Sequence, residues 1–283
     1  MSGRRRLRSD IAYSTADRIV VRGHDLVDLI GNVPLGDVAF LELTGRLPAP
    51  QESTVFNAIT VTLVEHGMTP SAIAARLTHL GAPESLQAAV AAGLLGLGGR
   101  YGGTVEGVAQ MLQEGLAAAA PDAGLREVAR GIVARHRASR RLVPGLGHPT
   151  HRGVDPRVPR LFQVAAENGL AGRQVELVQL VAEETSGTLG RTLPVNATGA
   201  IGAIAGELEI PWQVCRGLAV MARAIGLVAH LQEELRDPLA PEIWSRVEEE
   251  ASEHLRAAPD PGSHPVTSRA NMSPALDTGT FEE

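Results

Sequence analysis

From Leu26 to Arg236 the apolar residues of this chain recur at intervals of three and four, and the runs stop where glycine or proline interrupts them. That spacing constrains the fold more than any other feature, because it returns side chains to one face of a helix. The core it can build is aliphatic. Aromatics make up only 3% of the residues, while Ala, Leu, Val and Gly are abundant, so helix formers rather than aromatic strand formers must fill the interior. The reading is an all-α protein of one or two domains, long enough at 283 residues to bury a sizeable core.

Helices are expected over residues 53–65, 70–80, 84–97, 104–120, 124–138, 159–168, 172–189 and 211–236, with shorter pieces ahead of Gly31 and Gly45. In the first of these Val55, Ile59, Val61 and Leu63 should face inward, and Gly67 ends it with His66 near its C-terminus. Ala88, Ala89, Ala91, Ala92 and Gly93 suit close helix packing. A short strand is expected at residues 17–22, where Ile19, Val20 and Val21 stand together. Beyond Pro194 the chain is apolar and glycine-rich as far as Leu208, and from Ala257 it reads as a poorly ordered tail.

Composition removes several function classes. All 26 basic residues are arginine, which rules out a Schiff-base lysine, a pyridoxal phosphate anchor and a Walker lysine. A formal charge of −6 argues against a nucleic-acid partner, and Arg4, Arg5, Arg6 and Arg8 read as a solvated terminus. Cys215 is the only cysteine, so no intrachain disulfide forms and a buried structural thiol is expected. No apolar run reaches the roughly 18 residues of a membrane span and no leader-like pattern opens the chain, so a soluble, cytoplasmic protein is expected with no membrane partner.

The stretch with most chemistry is Val143 to Arg157, VPGLGHPTHRGVDPR. Pro144, Gly145, Gly147, Pro149, Gly153 and Pro156 forbid a regular helix there. His148, Arg152 and Arg157 lie in this rigid loop, and only Asp155 can offset the cations, so it should grip a carboxylate or a phosphate while an imidazole handles a proton. His148 and His151 form an H-x-x-H pair, but Pro149 breaks the helical register a zinc site would use, and no metal is expected. Gly96, Gly98 and Gly102 have the wrong spacing, after a helix, for a dinucleotide fingerprint.

The loop resembles that of the citrate synthase superfamily, in which G-x-G-H is followed by D-P-R; here these are Gly145-Leu146-Gly147-His148 and Asp155-Pro156-Arg157. The likeness extends along most of the chain. Arg22-Gly23-His24-Asp25-Leu26 is similar to the family's RGYDL, residues 40–48 (FLELTGRLP) to its FLLLTGRLP, Glu65-His66-Gly67 to its D/E-H-G element, and Ala222-Arg223-Ala224-Ile225-Gly226 to a late helix with a carboxylate-binding arginine. Synthases proper carry a histidine in the glycine turn, where this chain has Gly102; Arg100-Tyr101-Gly102-Gly103 resembles the R-F-G-G of citryl-CoA lyases and of the lyase part of ATP-citrate lyase.

The resemblance implies an all-α, citrate-synthase-like fold: a large helical domain from residues 1–104 and 193–256, a smaller lid domain from 105–192, and a tail over 257–283. It implies that His148 and His66 are catalytic, that Arg157 and Arg223 bind substrate carboxylates, and that Arg152 with Gly145, Leu146 and Gly147 contacts coenzyme A. It also implies a homodimer or higher even oligomer, and an acyl-CoA with a di- or tricarboxylate as ligands, the thioester being substrate with no separate cofactor. Arg223, within an apolar helix, needs an anion, supplied either by a protein carboxylate or by the substrate. His230 is similar to a histidine of the lyase helix but is given no chemistry. One departure stands out: the family's N-V-D-G aspartate is replaced, in Asn196-Ala197-Thr198-Gly199, by Thr198, which cannot act as a carboxylate base. Three readings follow: carbon–carbon cleavage or formation between acetyl-CoA and oxaloacetate, with Glu183 or Glu184 as candidate replacement carboxylates; a related enzyme in which Thr198 serves a different substrate; or a binding protein without turnover.

Overall fold

The computed structural model describes residues 7–99, 103–147, 153 and 155–256. Ala12–Ser14 (β1), Ile19–Val21 (β2) and His24–Asp25 (β3) form an antiparallel meander in that order, with Val20 opposite Tyr13 and Asp25. The remainder is helical: Leu26–Leu29 (α1), Leu35–Thr44 (α2), Pro50–Val64 (α3), Pro70–Gly81 (α4), Leu86–Leu95 (α5), Gly103–Ala117 (α6), Leu125–Ala138 (α7), Arg157–Glu167 (α8), Arg173–Leu189 (α9), Ala197–Glu207 (α10), Cys215–Arg236 (α11) and Ala240–Arg256 (α12). Apart from that meander the fold is all-α, as expected.

Local signals set several boundaries. Gly45 ends α2 at φ 82°, a left-handed conformation that glycine adopts without Cβ strain. Pro50 starts α3, and the Glu52 carboxylate accepts from the Ala49 N–H at 2.7 Å while gripping Arg46 with both oxygens at 2.6 Å. Thr69 caps α4 by accepting from the Ala72 N–H. Within α3, Val55 and Ile59 are buried as expected, but Val61 is 70% exposed: Ile59 and Val61 are two residues apart and cannot share one helical face.

Two helices depart from the sequence expectation. The glycine-rich stretch after Pro194 is α10, whose residues from Gly199 to Gly206 are all buried. Gly199, Gly202 and Gly206 lower its intrinsic helicity, yet they let neighbours approach so closely that a Cβ on Gly202 would stand 2.7 Å from Val108 Cβ and 3.0 Å from the Val105 carbonyl. Burial on all sides outweighs propensity. α12 was not expected because its charged surface lowers its mean hydropathy; Pro241 in its first turn, Glu242 near its start and His254 and Arg256 near its end nevertheless suit a helix. It belongs to a separate compact unit from Pro241 onward, and Trp244, Val247 and Leu255 on it are exposed.

Within residues 1–240, α10 packs against α6, α8 and α9, and α11 packs against α3, α4, α5 and α6. The core between them is aliphatic apart from Phe40 and Phe56, which meet edge to face at 5.3 Å. Trp212–Arg236 is long and apolar enough to cross a bilayer by length and composition. It carries buried Arg223 and Glu234, each paired with a residue of the same fold, and packs against α3, α4, α5 and α6. Cys215 opens it, and burial pushes its thiol up to about 12, in keeping with an inert structural thiol.

Candidate active site

Three chain segments are stitched together at the start of α10. Asn196 caps that helix: its Oδ1 accepts from the Gly199 N–H at 3.1 Å, and its Nδ2 donates to the Gly147 carbonyl at 2.6 Å. The backbones of the two segments also pair, Asn196 N donating to Gly145 O at 2.9 Å and Gly147 N to Pro194 O at 2.8 Å, with a bridge between Leu146 and Val195. Gly145, at φ 80°, faces Gly199 so closely that a Cβ on it would lie 2.7 Å from Gly199 Cα and 2.5 Å from Val108 Cγ2. Glycine is required on both sides of this contact.

The third segment is anchored by Asp155, which is 1% exposed. Its Oδ1 accepts from Arg157 Nε at 2.9 Å and from the Arg157 N–H at 3.1 Å; its Oδ2 accepts from Arg157 Nη2 at 2.7 Å and from the Ala197 N–H at 3.2 Å. Burial alone would push this carboxyl up, but the guanidinium fork and the two backbone donors outweigh it and hold it lowered to about 2. Asp155 thereby ties the D-P-R loop to the helix that carries Thr198. The structure brings Gly145, Leu146, Gly147, Arg157 and Thr198 into one cluster, whereas His148 and Arg152, expected between them, lie outside the described residues, as do Tyr101 and Gly102 of the glycine turn and the tail over 257–283.

Thr198 donates its hydroxyl proton to Asn196 Oδ1 at 2.7 Å. What it can offer a ligand is therefore a neutral acceptor. The carboxylates weighed as replacements for the missing aspartate are committed elsewhere: Glu183 and Glu184 pair with Arg126 at 2.9 and 3.2 Å, and Arg130 approaches Glu184 at 3.4 Å. Those pairs join α7 to α9 beside a groove of about 480 Å³ that Glu184 lines but that no residue of the cluster around Asp155 lines. This corrects the sequence expectation, which could not see the arginines opposite.

A second cluster forms where α3 ends against α11. Glu65 Oε1 accepts from the backbone N–H groups of His66 and Gly67, both at 2.7 Å, and lies 3.3 Å from Arg223 Nη1; Oε2 lies 3.1 Å from His230 Nε2. Burial acts to raise the Glu65 carboxyl, but the His66 and Gly67 N–H groups and the neighbouring His230 ring hold it below the usual range. Of the two anions weighed for Arg223, the protein carboxylate is present, and it is Glu65; the Arg223 Nε is buried without a partner among the described residues. Gly226 makes the approach possible, since a Cβ there would run into the Val64 carbonyl and stand 2.8 Å from Glu65 Oε2. Gly226→Ala should therefore cost on the order of 1–3 kcal/mol in denaturant unfolding, and an unchanged midpoint would show that the contact relaxes freely.

Asp155, Glu65 and Asn196 were not singled out as site residues, yet each stands beside one that was. The available signal was their place in the D-P-R, E-H-G and N-A-T-G elements.

A family model described as citrate synthase, C-terminal domain, matches residues 48–244. The probable ATP-citrate synthase subunit 1 of Schizosaccharomyces pombe is 28% identical over 228 residues, covering 74% of this chain and 35% of that protein. ATP-citrate synthase beta chain protein 1 of Arabidopsis thaliana is 30% identical over 234 residues, covering 75% and 37%. The chain thus spans little more than a third of the length of these relatives. Among solved structures, the citryl-CoA lyase of Hydrogenobacter thermophilus is 34% identical with a TM-score of 0.75, over 82% of this chain and 88% of that one. The ATP citrate lyase of Methanothrix soehngenii, solved with citrate and coenzyme A, is 20% identical with a TM-score of 0.67 over 100% of this chain and 44% of that one, a likeness of fold.

Proposed function

Because this chain belongs to the citrate synthase family, we propose that it is an enzyme of the citryl-CoA lyase type, which breaks the carbon–carbon bond of citryl-CoA to give acetyl-CoA and oxaloacetate, or forms it in reverse. The observation that carries this reading is the 34% identity with a citryl-CoA lyase over most of both chains, joined to the clustering of the G-L-G, D-P-R and N-A-T-G segments.

In this reading Arg157 and Arg223 hold the carboxylates of the citryl group. Arg157, with Nε and Nη2 taken by Asp155, has its Nη1 without a partner among the described residues and turned over to a ligand in this reading. The tertiary hydroxyl loses its proton, its C–O⁻ becomes the ketone of oxaloacetate as the adjacent C–C bond breaks, and the electron pair leaves as the acetyl-CoA enolate, which is then protonated at carbon. His66 and His148 hydrogen-bond the oxygens on which charge develops. The Gly145–Gly147 backbone, with Arg152, is the platform for coenzyme A, and residues 105–192 close over the substrate.

Incubation with citryl-CoA should release acetyl-CoA and oxaloacetate in equal amounts, and His148→Ala should lower the rate by on the order of 10²–10⁴. Tight binding of citryl-CoA with no product would convert the reading to that of a binding protein. A second reading, an altered acyl or oxo-acid substrate, is favoured by one observation: Thr198 offers an uncharged acceptor where relatives are expected to carry a carboxylate.

We also propose a homodimer or a higher even assembly. Ala89 and Gly93 of α5 are spent within the subunit, where Gly93 lies against Leu227, while Leu86 and Leu95 of that helix remain exposed and available for a partner subunit. Light scattering at micromolar concentration should give an even multiple of the 29.7 kDa chain; a monomer would contradict this.

A further inference from the structure

The reaction proposed above makes no use of the charged groups on α11 beyond Arg223. Arg76 of α4 is 1% exposed; its Nη1 donates to Glu234 Oε2 at 2.6 Å, and its Nη2 contacts the Glu233 carboxylate and lies 3.0 Å from His230 Nδ1. Glu234 is in turn fixed by the N–H groups of Leu239 and Ala240, at 2.9 and 2.7 Å. A guanidinium has donors only. His230 Nδ1 must therefore be the bare, accepting nitrogen, which leaves the ring proton on Nε2.

That proton faces Glu65. His230 Nε2 is 3.1 Å from Glu65 Oε2, off the line of a straight hydrogen bond but in close contact with the charge. Glu65 stands at the C-terminal end of α3, where the helix dipole disfavours a carboxylate. Its position is maintained by the N–H groups of His66 and Gly67 and by Arg223, with the Nε2 edge of the His230 ring in contact with Oε2.

We infer that His230 is a positioning residue. Held by Arg76 as the Nε2–H tautomer, it fixes the Glu65 carboxylate, and through that carboxylate the turn that carries His66 and the guanidinium of Arg223. The catalytic consequence rests on the lyase reading; the tautomer does not.

Two measurements on the full chain test the two parts separately. In long-range ¹H–¹⁵N spectra of protein labelled at histidine, with His230→Gln used to assign the resonance, His230 should show the Nε2–H pattern at neutral pH. An Nδ1–H pattern, or that of an imidazolium, would overturn the inference. By calorimetry, His230→Ala should weaken oxaloacetate binding about fivefold, the size of an ordinary net polar contact, and leave coenzyme A affinity unchanged. His230→Gln, whose amide can replace the Nε2–H donor, should restore most of the loss. Equal oxaloacetate affinity in wild type and His230→Ala would sink the positioning role, and so would a loss that Gln does not rescue. A wild type that binds no oxaloacetate while showing the Nε2–H tautomer would instead refute the substrate reading.

Discussion

Asp155→Ala should destabilise the protein by about 3 kcal/mol and reduce citryl-CoA cleavage below detection. Removing one member of a buried ion pair typically costs about 3–5 kcal/mol because the other charge is stranded. Arg157 is the stranded partner here, and its side chain is 30% exposed, so it can turn toward water and the loss falls at the lower end. Activity should suffer more than stability, since the same carboxylate positions Arg157 and clips the first N–H of α10 beside Thr198. The pH dependence separates the charge from the shape. With the folded carboxyl held at about 2 against an ordinary 3.8, its contribution is fully present above the unfolded value and is lost as pH falls through 4 toward 2, on the order of 2 kcal/mol in all. Urea unfolding of wild type should show that loss over this window, and Asp155→Asn should lack this part of the slope. A midpoint in Asp155→Ala matching that of wild type at pH 7 would show that the hub carries no weight.

How far the sequence could be read depended on whether a feature was local. Helices such as α4, α7 and α9 were legible because each carries its own apolar stripe and its own punctuation, Pro70 before one and Gly190 after another. α10 was not, because its signal is the absence of side chains: Gly199, Gly202 and Gly206 look like breakers until Gly145, Val108 and Gln174 are seen pressed against them. The site shows the same division. Cations and imidazoles stood out by type and by resemblance to a family, so Arg157, Arg223 and His66 could be named before any geometry. Their partners could not be. Nothing in the order of residues says that Arg223 will find Glu65, 158 positions away, or that Arg126 will take up Glu183 and Glu184. Pairings of that separation are set by how α3, α7, α9 and α11 pack, which is a property of the assembled core.

Thr198→Asp should lower cleavage of the natural substrate at least tenfold, although relatives are expected to carry an aspartate at this place. The reason lies in what surrounds the side chain. The Thr198 hydroxyl donates to Asn196 Oδ1 at 2.7 Å, and that oxygen also accepts the Gly199 N–H, so acceptors are already present beside the side chain. A carboxylate brings two more and no proton. The buried Asp155 carboxylate, bonded to the preceding residue's N–H, adds like-charge repulsion. Against this stands the α10 N-terminus, which favours a negative charge by about 0.3–1 kcal/mol. That is too small to offset the lost Thr198–Asn196 hydrogen bond, worth about 0.5–1.5 kcal/mol, together with the repulsion between two neighbouring carboxylates. Thr198→Ser keeps the hydroxyl and should retain most of the activity, whereas Thr198→Val removes the acceptor and should lose it, a pattern expected if the oxygen receives a substrate hydroxyl. Steady-state kinetics of the four proteins on citryl-CoA decide the matter. A gain on the order of 10²–10⁴ in Thr198→Asp, the worth of a general acid or base, would mean that wild type is a lyase lacking its carboxylate and that Thr198 has no role of its own.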